Sequence, residues 1–362
     1  MKHLFTIFSL LFGHLCFANM ASPYREGTFS SSAFSSRNID ILHEKIYIKP
    51  DSSFKTALFK IEYAVKTDTE GRQIPLLFHA VDYNGDFKVW VDNQMVTISS
   101  IPAAYEHISN SPFQHFSNIF DGRNEVTIYW EENSGFVYQL NELKYFETSL
   151  TKGEHNIRVE YTATSWLDLR QWVKNYSFRY SLSPAEFWKS FGSLEITVDA
   201  TQFKKTITTN FGNPASGKLD SVSVWTFNQL PGKYLQIYFV PELNSTAATL
   251  MSIGTNKLTL CFAIVIAILH LVLIRLFRKR NTQKKYSWVL IAGSILIPFV
   301  ILCFNMYSYD LIDNVIGDEA SHYHGYTFFV MVLYPVLMPL YWVGMWLVDK
   351  LYKKKLLGHD RL

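Results

Sequence analysis

Leu258–Phe277 reads LTLCFAIVIAILHLVLIRLF and runs straight into Arg278-Lys279-Arg280. Apart from Thr259, His270 and Arg275, every side chain in it is apolar. About 20 such residues at 1.5 Å rise each are what a helix needs to cross ~30 Å of hydrocarbon. Everything before this stretch reads as exported and β-rich, and everything after it as a membrane hairpin with a basic tail.

Two more apolar runs follow, Trp288–Met306 and Tyr326–Val348. The expected transmembrane helices are therefore 257–278, 287–307 and 326–348. The connection after the first carries Arg278, Lys279, Arg280, Lys284 and Lys285, and the tail, 349–362, carries Lys350, Lys353, Lys354, Lys355 and Arg361. The connection 307–325 has no Lys or Arg but holds Asp310, Asp313, Asp318 and Glu319. Positive residues mark the cytoplasmic side. That puts the basic loop and tail inside, with the acidic loop and the N-terminal region outside. Residues 1–18 give the same side independently. Lys2 and His3 precede an apolar Leu4–Phe12, and Cys16 and Ala18 offer small residues for cleavage, the pattern of a signal peptide.

The formal net charge of +3 conceals an asymmetry. From Lys257 onward there are 12 Lys and Arg against 6 Asp and Glu, whereas the exported part holds 21 against 25. A mildly acidic exported part excludes nucleic acid as its partner, and the positive charge belongs to the membrane flanks. Of three cysteines, Cys16 leaves with the signal and Cys261 and Cys303 lie in apolar runs. An exported region without disulfides points to a bacterial periplasm, so the expected location is the inner (cell) membrane.

The exported region alternates. In ALFKIEYAVK (57–66), Ala57, Phe59, Ile61, Tyr63 and Val65 share one face, with Lys60, Glu62 and Lys66 on the other. Ile157/Val159/Tyr161, Phe178/Tyr180/Leu182 and Leu194/Ile196/Val198 repeat the pattern, and Asp92-Asn93-Gln94 and Asn133-Ser134-Gly135 read as hairpin turns. The expected fold class is a mainly β exported region, one or two antiparallel β-sandwich domains, followed by three transmembrane α-helices. A boundary near Ser149–Gly153 would divide it into 19–150 and 151–245, with 246–256 as a polar linker. Residues 22–37 read as an extended arm and 104–124 as a long loop.

No nucleophile elbow, phosphate loop, HExxH helix or CxxC pair is present, and no cofactor is expected. The densest polar constellation is Asp318, Glu319, His322 and His324, whose imidazoles and carboxylates are ligands that suit a transition metal. The alternative is a solvated acidic loop. His270 is an ionisable group at membrane depth, which marks either function or a neutral imidazole bonded to a neighbouring helix through Ser294 or Asn305. Trp166 and Trp172, in a polar stretch, are the tryptophans expected at the surface and are the binding candidates. The combined expectation is a non-enzymatic, membrane-anchored envelope protein. Its β region binds a protein partner or a surface polymer, and its helices lie in the lipid bilayer against another membrane protein. The alternatives are an oligomeric transporter or channel subunit, and a metal-dependent membrane enzyme using 308–325.

Overall fold

The structure, a computed structural model, describes residues 22–35, 39–73, 76–101, 125–139 and 142–359. The expected signal peptide and the whole of the loop 104–124 lie outside the described residues. The chain divides into two units: a β-rich one, Tyr24–Asp168 with Asn175–Val240, and a helical one in which Leu169–Lys174 joins Pro241–Leu362.

In the β-rich unit, ten strands and a few two-residue edge strands build two larger sheets. They are β1 (Ile39–Pro50), β2 (Thr56–Thr67), β3 (Lys88–Val91), β4 (Gln94–Val96), β5 (Gly153–Thr164), β6 (Trp166–Asp168), β7 (Asn175–Ser181), β8 (Phe191–Asp199), β9 (Val222–Phe227) and β10 (Tyr234–Phe239). The eight-stranded sheet runs β4–β3–β5–β2–β1–β8–β9 and ends on Ser216–Gly217. The five-stranded sheet runs from Tyr24–Arg25 through β6, β7 and β10 to Thr208–Thr209. β5 pairs with β2 from Gly153–Thr67 to Thr164–Thr56, so strands from both sides of Ser149–Gly153 share one sheet. Asp92 and Asn93 close β3 onto β4 with φ of 46° and 67°, the left-handed pair that a two-residue hairpin turn demands.

The alternation sets the faces. Ala57, Phe59, Ile61, Tyr63 and Val65 are buried, and Glu62 and Lys66 are exposed. Phe59 reaches the rings of Phe178 and Tyr180 on the other sheet, each at 6.3 Å, and Phe54 packs 5.0 Å from Phe178. In β9 the buried side chains are Ser223 and Trp225, while Val222 is exposed.

Two expectations change. The sheets are not wholly antiparallel: β8 lies parallel to β1, Phe191 opposite Ile41 and Val198 opposite Ile48. A parallel neighbour needs a long crossover, and most of the unit intervenes between these two strands. The arm is not merely extended. Thr28–Ser35 is buried, with the Phe29 ring 5.1 Å from Trp130 and 4.4 Å from Trp166. It lacks periodicity because its backbone bonds to scattered partners, Thr28 N–H to the Thr164 carbonyl and Ser32 N–H to the Ser181 carbonyl. A feature with no counterpart in the sequence reading lies in β1. Ile39 and Ile41 face inward, a bulge falls between Ile41 and His43, and from there Glu44, Ile46 and Ile48 face inward. The extra residue shifts the phase by one and carries a carboxyl into the core. Gly192 lies opposite the bulge, and a Cβ there would stand 1.7 Å from the Leu42 carbonyl oxygen.

The helical unit holds α1 (Ser245–Arg280), α2 (Trp288–Ile316) and α3 (Tyr334–His359), all long and apolar enough to cross a membrane. The expected linker 246–256 is largely helical. Asn244 caps α1 by accepting from Ala247 N–H at 2.8 Å, and Ala247, Ala248 and Leu250 propagate it. The helix then breaks at Gly254, whose φ of 71° and ψ of 166° only glycine holds without strain. Pro335 falls in the first turn of α3, where its missing N–H costs no helix bond, and α3 continues to His359 through the expected tail.

Polar side chains lock the three helices together. His270 is 2% exposed and sits against Gly293, where a Cβ would come within 2.1 Å of its ring. Its Nε2 lies 3.1 Å from the Val289 carbonyl, which can only accept, so Nε2 carries the proton and Nδ1 accepts from the Tyr341 hydroxyl at 3.0 Å. The partners expected for it, Ser294 and Asn305, are not the ones used; Asn305 instead donates to Thr259 Oγ1. Arg278 grips Asp349 with two parallel bonds of 2.6 and 2.5 Å and gives a third, 2.7 Å, to the Lys284 carbonyl.

Candidate functional site

The connection from α2 to α3 and the segment Leu169–Lys174 form one local structure inside the helical unit. Gly317, with φ of 81°, ends α2, and a short 3-10 turn covers Gly317–Glu319. The chain then runs beside Leu169–Lys174 in a brief antiparallel ladder. Ser321 N–H donates to the Trp172 carbonyl at 2.9 Å and Lys174 N–H to the Glu319 carbonyl at 3.0 Å. This ladder fixes Trp172, half-buried, with its ring stacked on Tyr309 at 5.7 Å and against His324 at 4.4 Å.

Beneath these rings lies Asp313, 2% exposed near the end of α2. One of its oxygens, Oδ2, receives both His324 Nε2 at 2.7 Å and His322 Nδ1 at 3.0 Å. The His324 contact is a hydrogen bond, and the His322 contact is an ion-pair distance from the same oxygen. The other oxygen, Oδ1, is buried without a partner among the described residues. His322 takes a φ of 54°, an uncommon backbone for a non-glycine residue and one that turns it toward the shared carboxylate.

A cavity of about 660 Å³ opens beside this cluster, within the range of small-molecule sites. Trp172, Tyr309, Tyr323 and His324 supply aromatic walls, and Arg170 and Lys257 supply charge. α1 meets the cavity at its Gly254 break. No Asp or Glu lines it among the described residues.

The expected constellation is only partly assembled. His322 and His324 converge, but on Asp313. Asp318 is exposed, and its contribution is a backbone carbonyl that accepts from Lys174 Nζ. Glu319 likewise offers its carbonyl to the ladder. No group of three or more His, Cys, Asp and Glu side chains is arranged to hold a metal among the described residues. Trp166 is not at the surface. It is 4% exposed, donates from Nε1 to the Thr28 carbonyl at 3.1 Å, and carries the Arg179 guanidinium 4.7 Å above its ring. The polar residues after it belong to the segment that joins the helical unit, which is why the stretch looked exposed. Arg170, Lys257 and Tyr309 were missed, since three distant stretches contribute them.

Replacing both His322 and His324 by Ala is expected to leave metal content at background while destabilising the protein by about 1–3 kcal/mol, because the buried Asp313 carboxylate loses its hydrogen bond from His324 and the neighbouring His322 ring. Elemental analysis and thermal unfolding of the purified pair check this; stoichiometric metal lost in the variant would reverse the reading.

No family model matches the chain, and no curated protein matches its sequence. Among solved structures, a Legionella pneumophila protein described as nutrient-binding aligns over 87% of this chain and 99% of its own at 12% identity, TM-score 0.40. An M1 zinc metallopeptidase of Deinococcus radiodurans aligns at 10% identity over 57% of this chain and 43% of its own, TM-score 0.24. Leukotriene A4 hydrolase of Saccharomyces cerevisiae aligns at 7% identity over 56% and 29%, TM-score 0.31. The chain thus spans less than half of either of those two enzymes, and likenesses this distant assign no activity.

Proposed function

We propose that this is a non-enzymatic protein of the bacterial cell envelope, held in the inner membrane by α1, α2 and α3. Its β-rich unit lies on the periplasmic side, its C-terminal end is cytoplasmic, and the Arg278–Asp349 pair lies at the cytoplasmic boundary. The β-rich unit is built as a sandwich that binds a protein partner or a surface polymer. The observation that carries the membrane reading is an inverted polarity. Leu260, Ile264, Val265, Ile268, Leu269, Val272, Leu273 and Leu276 are exposed on α1, while His270 is turned inward. In water that arrangement is unfavourable by roughly 25 cal/mol for each Å² of apolar surface left out, and in lipid it is the expected one.

A binding role, beyond anchoring, is supported by the number of helices, since one would hold the chain. On α3 the exposed Trp342, Val343 and Trp346 offer a large surface to a second membrane protein.

Cysteine labelling tests the topology. With Cys261 and Cys303 replaced by Ser, Lys152→Cys is expected to react with a membrane-impermeant thiol reagent in spheroplasts. Lys354→Cys should react only after permeabilisation. Labelling of the Lys354 site in intact spheroplasts would sink the proposed orientation. Affinity purification in mild detergent should also bring down a fixed companion at constant stoichiometry.

A further inference from the structure

We propose that the free edge of the strand Ser134–Gln139 takes up an extended, basic segment of a protein partner as an added β-strand. The inference rests on the binding role given above and names the kind of partner the β-rich unit takes.

Backbone bonding makes the first argument. The hairpin pairs Glu125–Glu131 with Ser134–Gln139 and joins no other sheet. Tyr129 N–H donates outward to Ser183 Oγ at 3.1 Å, so Tyr129 and the facing Gly135 exchange no ladder bonds. Antiparallel pairs alternate, and the same holds for Thr127 with Val137 and for Glu125 with Gln139. Gly135, Val137 and Gln139 therefore aim their N–H and carbonyl groups away from the hairpin. Glu142 takes up the Gln139 N–H. The outward groups of Gly135 and Val137 have no partner among the described residues. Apart from the two strands of this hairpin, every sheet end among the described residues is two or three residues long, which blunts it. Ser134–Gln139 is six.

Side chains make the second. Phe136 and Val137 are 41% and 58% exposed. As neighbours in a strand they point to opposite faces, so a strand laid along the edge sets a side chain beside each.

Charge selects the occupant. Glu132 stands in the turn at one end of the strand, and Glu125 and Glu142 bond to Gln139 at the other. Burial, with the carboxylates of Glu26 and Glu142 adding to it, pushes the Tyr138 hydroxyl up, which places Glu26 beside the same strand. Arg179 is already paired with Glu131 at 3.0 Å, and Lys233 lies over the Tyr129 ring, on the strand away from the free edge. An apolar edge with carboxylates at both ends suits a segment that alternates apolar residues with lysine or arginine. A second copy, paired antiparallel about Phe136, would set Glu132 of one chain toward Glu142 of the other, like charge on like.

The probe is a short fluorescent peptide of alternating lysine and valine, blocked at both ends and titrated against the full chain in mild detergent, with anisotropy as the readout. The natural chain is expected to bind it, and to bind the glutamate–valine counterpart about tenfold more weakly or worse. Val137→Pro deletes an outward N–H that takes no part in the ladder, so the hairpin persists while affinity falls about tenfold or more. Val137→Thr keeps that N–H and should bind within about twofold of the natural chain. Glu132→Gln with Glu142→Gln, at exposed positions that do not threaten the fold, should weaken binding at low salt and change it little at high salt. No binding by the natural chain, equal binding of the two peptides, or unchanged binding by Val137→Pro overturns the inference. A companion that co-purifies equally well with Val137→Pro also overturns it and leaves the binding role intact. Self-association that Val137→Pro abolishes gives the edge to a second copy and overturns the partner. Edge-specific peptide binding by a chain that yields no companion keeps the edge and sinks the wider role.

Discussion

Asp349→Ala is expected to destabilise the helical unit by about 3 kcal/mol or more. Arg278 and Asp349 are 2% and 5% exposed, and their two parallel bonds join α1 to α3, with the Lys284 carbonyl closing the third side. Taking away one partner strands the other charge in a site shaped to exclude solvent, which typically costs about 3–5 kcal/mol. Arg278 lies near the end of α1 and has a long stem, so it can turn partly toward solvent, which moves the expectation to the lower end of that range. The companion variant separates charge stranding from lost packing. Arg278→Met with Asp349→Leu removes both charges and should recover most of the loss, because well-packed apolar pairs replace buried ion pairs at little cost. Thermal unfolding in a fixed detergent reads all three. A double variant no more stable than Asp349→Ala would mean that the guanidinium fork itself, not charge compensation, holds the helices.

The stability difference between the natural chain and Glu44→Gln should change with pH by roughly 3 kcal/mol. Glu44 is fully buried between the two sheets, where Ser32 Oγ donates to both its oxygens at 3.0 and 3.1 Å and the Tyr180 hydroxyl donates to Oε1 at 3.0 Å. Burial pushes its carboxyl up from about 4.5 to about 7, and the hydroxyls of Tyr63, Ser32 and Tyr180 only partly oppose that. Below about pH 4.5 both folded and unfolded chains hold the proton, and the folded state keeps its full advantage. Between 4.5 and 7 unfolding releases the proton, so stability falls as pH rises. Above 7 the whole penalty is in place, and the gap between the two values corresponds to roughly 3 kcal/mol. Glu44→Gln removes this dependence, so the natural chain should lead the variant at pH 5 and lose that lead by pH 8. Comparing the two chains matters, because Asp199, held down to about 2 by bonds from Thr201 and Tyr47, pulls absolute stability the other way in acid. Denaturant midpoints across that range make the measurement, and a difference independent of pH would refute the buried titration.

The strands of the large sheet were legible because burial on one face leaves a period of two, as in 57–66 and 157–161, and a slip would have exposed every apolar residue at once. The three long helices were legible from unbroken apolar runs. What escaped depends on contacts between distant residues. No local signal announces the extra residue at Leu42, so the inward turn of Glu44 could not be read. The parallel seating of β8 on β1 unites residues some 150 positions apart. In the candidate site, His322, His324 and Trp172 stood out as residue types. Asp313 was one acid among four in its loop, and Arg170, Lys257 and Tyr309 come together only because Leu169–Lys174 leaves the β-rich unit for the helical one.

The bulge in β1 also constrains how this chain can drift over generations. Leu42 is the surplus residue of that strand, so losing it would restore simple alternation with Ile39, Ile41, Glu44, Ile46 and Ile48 still facing inward. The carbonyl that forbids a Cβ at position 192 belongs to the same residue. Strand length at one site and side-chain identity at another, 150 positions on, are therefore a single heritable character. A lineage that keeps the surplus residue must keep glycine opposite it, and one that deletes it is released to accept any small side chain there.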